Sequence, residues 1–397
     1  MNRHPLLLLG LLATLLQGLP ISAQPARPAQ GSPERIARVE AGLRFPRTIR
    51  GRPATPMRLD DRMRHYKVPG VSVAVIDSFR IAWARGYGVR EAGGTDPVTT
   101  ETLFQAASIS KPVAALAALR LVQDGKLELD ENVNRRLTSW KVPENGFTAA
   151  QPVTLRRLLS HGAGLTVHGF LGYAADKLVP TVVQVLDGQP PANSAAIRVD
   201  TVPGGRWRYS GGGYTVMQQL LVDVTGKSFP DLMRTEVLEP LGMRRSTYEQ
   251  PLPAPLAGNA ASGHRPDGTV VEGKWYTHPE MAAAGLWTTP SDLARYAIEV
   301  QLSAAGRSNK VLSRPLAAQM LTRQTGTYGL GPGLDGHGRD ASFSHGGSNQ
   351  GFRAYFVAFP ERGQGAAVMT NSDAGGALAS EIVRAIAQEY DWPTPRI

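Results

Sequence analysis

Ser108-Ile109-Ser110-Lys111 is the stretch of this sequence best suited to covalent chemistry. At the start of a helix, a serine and a lysine three residues apart stand one turn apart on the same face, so the amine can reach the hydroxyl. The positive end of that helix favours a developing alkoxide, and Pro112 fits a first turn, where its missing amide hydrogen has no helical partner to lose. By itself a Ser-x-x-Lys tetrad more often marks an exposed helix start than a nucleophile, so its neighbours decide its meaning. Downstream, Pro203 to Tyr214 places Tyr209 in a glycine-rich bend formed with Gly211 to Gly213. Later still, Ser344-His345-Gly346-Gly347-Ser348 ends an expected strand, where glycines let a ligand come close to the backbone.

These three elements, in this order, resemble the serine β-lactamase and penicillin-binding protein superfamily, whose motifs are Ser-x-x-Lys, Tyr-x-Asn and Lys-Thr-Gly or His-x-Gly. The likeness runs from about Met57 to Tyr390 and extends to Thr102–Ser108, Leu155–His161 with Gly164-Leu165, Val237–Met243 and Ala284–Arg295. Together they look like the class C β-lactamase-related branch, which also holds esterases, D-aminopeptidases and DD-peptidases. The resemblance implies that Ser108 is the nucleophile, that Lys111 and Tyr209 activate it, and that Tyr209 passes a proton to the leaving group. It implies an oxyanion hole from the backbone N–H groups of Ser108 and Ser348. Gly211, His345, Gly346 and Gly347 would meet the substrate.

Two positions depart from the pattern. Gly211 stands where the second motif has asparagine, which removes a side-chain amide that the family uses on the substrate's acyl group. His345 replaces lysine in the third motif, weakening near neutral pH the positive charge that would hold a β-lactam carboxylate. Both departures tilt the expected substrate toward esters, D-amino-acid peptides or amides, and away from β-lactams. A class C-like β-lactamase is the alternative within that chemistry. The alternative of another class is a non-hydrolysing penicillin- or wall-fragment-binding protein, which the intact Ser108, Lys111 and Tyr209 set count against.

Other residues read more plainly. His161 is expected to be a structural hydrogen-bonding histidine, and Trp207, Trp275 and Trp287 are expected in the core. His168 and Phe170 fit either the pocket mouth or helix packing. The sequence contains no His-Glu-x-x-His and no Gly-x-Ser-x-Gly, so neither a zincin site nor a nucleophile elbow is on offer, and no metal or cofactor is expected.

The elements that must position these groups follow from patterning. Val71–Ile76 and Arg80–Trp83 form a β-hairpin pattern around Asp77-Ser78. Strand gives way to helical spacing from Ser108 to about Asp124, with Gly125 as a stop. Residues 112–280 are dominated by helix-like segments, and strand patterns return at Phe343–His345, Phe352–Phe359 and Ala366–Thr370 before an amphipathic Leu378–Tyr390. The expected fold is α+β, of mixed α/β content: an antiparallel sheet flanked by helices, with an all-helical subdomain inserted. The sheet part would be about 57–111 and 281–395, and the helical insertion about 112–280.

The 397 residues, 42% hydrophobic and 19% charged, suit a globular protein. The opening Met-Asn-Arg-His, an apolar run from Leu6 to Leu19 and a small residue at Ala23 describe a signal peptide, residues 1–23. A periplasmic or secreted protein with no transmembrane span after cleavage is therefore expected. The sequence has no cysteine, which excludes thiol nucleophiles and disulfides. Much of the net charge of +10 sits in residues 24–56, where seven arginines face Glu34 and Glu40. This Pro-rich segment reads as a solvated arm, whose possible partners are anionic envelope polymers or headgroups. No nucleic-acid module is recognisable, so the expected partner of the catalytic part is a small-molecule or peptide substrate.

Overall fold

The computed structural model describes residue 1, residues 31–45 and residues 55–393. The rest of the expected leader lies outside the described residues, as do Arg27, Arg47, Arg50 and Arg52 of the arm.

Six antiparallel strands form the central sheet. They are β1 (Gly70–Asp77), β2 (Arg80–Gly88), β5 (Gly333–Asp335), β6 (Ser342–Asn349), β7 (Phe352–Phe359) and β8 (Gln364–Thr370), in the order β2-β1-β8-β7-β6-β5. A two-stranded pair, β3 (Phe104–Gln105) and β4 (Trp287–Thr288), stands apart from it. The early hairpin therefore joins the late strands through β1 and β8, which pair from Val71↔Thr370 to Ile76↔Gly365. Side chains alternate between two cores because successive strand residues point to opposite faces. Val71, Val73, Val75 and Val368 enter one cluster, while Ala74, Ile76, Ala367 and Met369 enter the other. With both faces covered, β1 is buried along nearly its whole length.

Helices Leu59–Tyr66 and Gly375–Glu389 cover the first face. They are locked by Arg62, whose Nε and guanidinium nitrogen donate to the two oxygens of Glu381 at 2.8 Å each, while the Tyr66 hydroxyl also donates to Glu381. The second face carries helices Pro290–Ala304 and Ser110–Gln123. Between Gln105 and Trp287 the described chain adds no strand to either sheet. That stretch is made of short helices and loops around one long helix, Gly211–Thr225.

One expectation is corrected here. Residues 33–40 of the supposed solvated arm form a helix, Pro33–Glu40, capped by the Ser32 side chain. Its Ile36 and Val39 are buried against the sheet, and Arg35 and Arg38 pair with Glu389 at 3.1 and 2.8 Å. The guanidinium of Arg35 also sits 4.0 Å above the Tyr390 ring. A charge count hides an apolar pair three residues apart, which is enough to dock one face of a two-turn helix.

Candidate active site

The turn that carries Ser108, the expected nucleophile, is built by strain followed by regularity. Ala107 has φ +50°, unusual for a residue with a Cβ, and opens a short 3-10 turn, Ala107–Ile109. The α-helix proper starts at Ser110, two residues later than the spacing suggests. Ser110 ties the turn down: its hydroxyl donates to Ala107 O at 2.5 Å and accepts from Leu286 N at 2.9 Å.

Lys111 projects from the first turn of this helix back to Ser108. Its Nζ donates to Ser108 Oγ at 3.1 Å and to Ala283 O at 2.8 Å. The side chain is 1% exposed, and burial lowers its pKa to about 7. No carboxylate offsets that burial, so the amine is poised between charged and neutral forms near neutral pH.

Tyr209 lies over this pair, with its ring centroid 5.0 Å from Lys111 Nζ. Its hydroxyl is buried with no hydrogen-bond partner among the described residues. Burial raises the phenol's pKa, and the nearby Ser108 hydroxyl pulls it partly back. His161 holds the ring by stacking on it at 4.2 Å, while its Nδ1 accepts from Ser210 N at 3.1 Å. That is the structural hydrogen-bonding role expected for it.

Strand β6 supplies the opposite wall. Its Gly347 passes so close to the nucleophile turn that a Cβ there would sit 2.1 Å from Ala106 O. His345 is buried, its Nδ1 lies 2.6 Å from Gly346 O and its Nε2 has no partner among the described residues. Burial, and then Lys111, push its pKa down to about 3, so the imidazole is neutral at physiological pH and donates Nδ1–H to that carbonyl.

A cavity of about 510 Å³ opens over these groups, lined by Ser108, Tyr209, His345, Gly346, Gly347 and Ser348 among others. The motif residues of the sequence therefore converge, with one exception. Gly211 is buried and does not line the cavity. Nor does the Gly211–Gly213 run form a bend; it is the first turn of helix Gly211–Thr225, with Ser210 as its cap. Chain direction at Gly211 is set by its N–H, which donates to His168 O at 2.9 Å.

Sequence reasoning missed several cavity residues and misplaced another. Trp207 is 40% exposed, stacks on Tyr328 at 5.5 Å and lines the cavity, whereas Trp287 does lie in the core. Tyr328 comes from a glycine-rich loop with no periodic signal. Arg353 and Tyr355 come from β7 and reach the site by strand pairing, and Gly376, Ala379 and Ser380 come from the last helix and reach it by packing on the sheet. A simple signal was available for Arg353, since it is a charged residue in an otherwise apolar strand.

Comparison with known proteins bears on the family and the fold. Protein flp of Staphylococcus aureus (strain MW2) is 23% identical over 320 residues, covering 77% of this chain but only 60% of its own length. Penicillin-binding protein 4 of Amycolatopsis lactamdurans is 27% identical over 354 residues, covering 84% of this chain and 88% of its own. In fold, the D-amino acid amidase from Ochrobactrum anthropi SV3, solved in complex with L-phenylalanine, superposes with a TM-score of 0.69 at 22% identity, covering 90% of this chain and 99% of the amidase. The Beta-lactamase family model matches residues 57–390, and the chain belongs to that family.

Proposed function

We propose that the chain is an exported serine hydrolase that works through an acyl-enzyme on Ser108, with esters and D-amino-acid amides or peptides preferred to β-lactams. The observation that carries this reading is the hydrogen bond from a buried, near-neutral Lys111 amine to Ser108 Oγ. An amine of that kind can accept the serine proton as Oγ attacks the acyl carbonyl. The Tyr209 hydroxyl, buried and unpartnered beside Ser108, then delivers a proton to the departing alcohol or amine. In the second half the Tyr209 phenolate takes a proton from water as the water oxygen attacks the ester carbonyl, and Lys111 returns its proton to Ser108 Oγ as the acyl C–O bond breaks, so that amine and phenol are both restored. The oxyanion is assigned to the backbone N–H groups of Ser108 and Ser348, both on the cavity wall. Gly346 and Gly347 keep that wall free of side chains.

The preference among substrates rests on charge. Neutral His345 gives a substrate carboxylate no cation to grip, and Arg353 is already committed to Asp373 at 2.8 Å and to two backbone carbonyls. The likeness to a D-amino acid amidase points the same way. Export to the periplasm or medium rests on the leader-like opening residues, and cell fractionation of the full chain tests it.

The catalytic reading is tested by intact-mass spectrometry of the protein and of Ser108→Ala, over a time course with nitrocefin, a fluorescent penicillin, p-nitrophenyl butyrate and a D-alanyl p-nitroanilide. The expected result is turnover of the ester or anilide and an adduct on the wild type alone. A β-lactam adduct that persists would identify a penicillin-binding protein instead.

A further inference from the structure

We infer that His168 is a specificity-determining residue, which selects acyl groups bearing an N–H on the carbon next to the scissile carbonyl. The inference deepens the acyl-enzyme reading above and rests on it.

The carrying observation is how the segment Thr166–Phe170 is fixed over the start of helix Gly211–Thr225. Thr166 O accepts from the Ser210 hydroxyl at 2.8 Å, Val167 O from Gly212 N at 3.0 Å and His168 O from Gly211 N at 2.9 Å. Three consecutive carbonyls thus take donors at a helix N-terminus, where such donors are otherwise unpaired. Val167 is held at φ +62°, a conformation that a β-branched residue adopts only when its surroundings force it. The same contacts close the space beside Gly211: a Cβ there would lie 3.0 Å from His168 O and 3.1 Å from the Phe170 ring. No larger side chain at 211 can reach the cavity without moving this segment.

The segment presents His168 in its place. The exposed imidazole lies 4.9 Å from the Tyr209 ring, lines the catalytic cavity, and makes no side-chain hydrogen bond within the described protein. Two other polar side chains of that cavity are committed within the protein. Arg353 serves Asp373, and Ser380 donates to Gly376 O at 3.0 Å. Trp207 and Tyr328 stack on each other as an aromatic wall. The lining contains no carboxylate, so an N–H on the acyl group needs another acceptor, and an imidazole nitrogen can serve as one. The backbone anchors place this side chain beside the Tyr209 ring before substrate arrives.

The test compares two p-nitrophenyl esters with the same leaving group, N-acetyl-D-alanine and butyrate, in the wild type, His168→Ala and His168→Gln. In His168→Ala the ratio of kcat/KM for the first ester over the second is expected to fall about tenfold, the worth of one hydrogen bond. His168→Gln, whose amide oxygen can also accept, should recover much of that ratio. A ratio that stays within twofold of the wild type in His168→Ala, while Ser108 is still acylated, overturns the role of His168 and leaves the hydrolase reading standing. No acylation of wild-type Ser108 by either ester overturns both.

Discussion

Replacing Lys111 with methionine should change how stability depends on pH, by an amount the structure fixes. An ordinary lysine titrates at 10.5, whereas the buried amine titrates at about 7. Between those values the unfolded chain holds a proton that the folded chain does not, so stability rises with pH across the window, by about 1.4 kcal/mol per pH unit. Over the whole window the rise comes to about 5 kcal/mol, and below pH 7 the folded state bears that full cost of a buried charge. In Lys111→Met the cost is gone. Its stability relative to the wild type should therefore be greatest below pH 7 and should shrink by about 2 kcal/mol between pH 7 and pH 9. The loss of the contacts to Ser108 and Ala283 O shifts the comparison by an amount that depends little on pH, so the slope carries the information and the absolute difference does not. Urea unfolding followed by tryptophan fluorescence at pH 7, 8 and 9 measures it. Parallel pH profiles for the two proteins would refute the reasoning, because they would mean that Lys111 keeps its charge throughout. The same titration should appear in wild-type kcat/KM as an acid limb near pH 7, since a protonated amine cannot accept the serine proton.

Tyr209→Phe should keep its melting temperature within a few degrees and lower kcat by about a hundredfold or more, because the phenol is the proton carrier to the leaving group; a kcat within fivefold of the wild type would remove it from that role. Gly347→Ala drives a Cβ to 2.1 Å from Ala106 O, a backbone atom of the nucleophile turn, so thermal unfolding should show a loss of about 1–3 kcal/mol together with a loss of turnover. Glu280 is fully buried with no partner for either oxygen among the described residues, and burial raises its pKa from 4.5 to about 7. The folded state therefore bears no cost below pH 4.5 and a full cost of about 3 kcal/mol above pH 7. Glu280→Gln should be more stable than the wild type at pH 8 and no more stable at pH 4.5, and an equal shift of the urea midpoint at both pH values would count against it.

Much of this fold is legible in the sequence because period-2 runs of β-branched residues have few alternatives. The hairpin expected at Val71–Trp83 is β1 and β2, and the three late strand patterns fall in β6, β7 and β8. What is hidden depends on contacts distant in sequence. Helix Pro33–Glu40 acquires its partner, Glu389, from the other end of the chain. Trp207 and Tyr328 meet across more than a hundred residues of chain, and neither lies in a periodic segment. The glycine run at 211–213 reads as a turn because glycine is a poor helix former. It is helical here because the carbonyls of His168 and Val167 accept its first free N–H groups.

The electrostatics of the site explain why the two departures from the family motifs belong together. Removing an asparagine amide at 211 and a lysine charge at 345 takes away both a neutral and a charged means of holding substrate. The cavity that results offers little free positive charge: Lys111 and His345 are both driven toward neutrality by burial, and Arg353 is matched by Asp373. In such surroundings a substrate carboxylate would lose its hydration and gain no counter-charge, at a cost of several kcal/mol. An uncharged ester or amide loses little on entry, and its reacting carbonyl meets the full effect of preorganised donors in a medium of low dielectric. The same burial that strips the site of positive charge thus leaves Lys111 free of its proton near neutral pH, as the proposed attack by Ser108 requires, and sets which acyl groups can reach it.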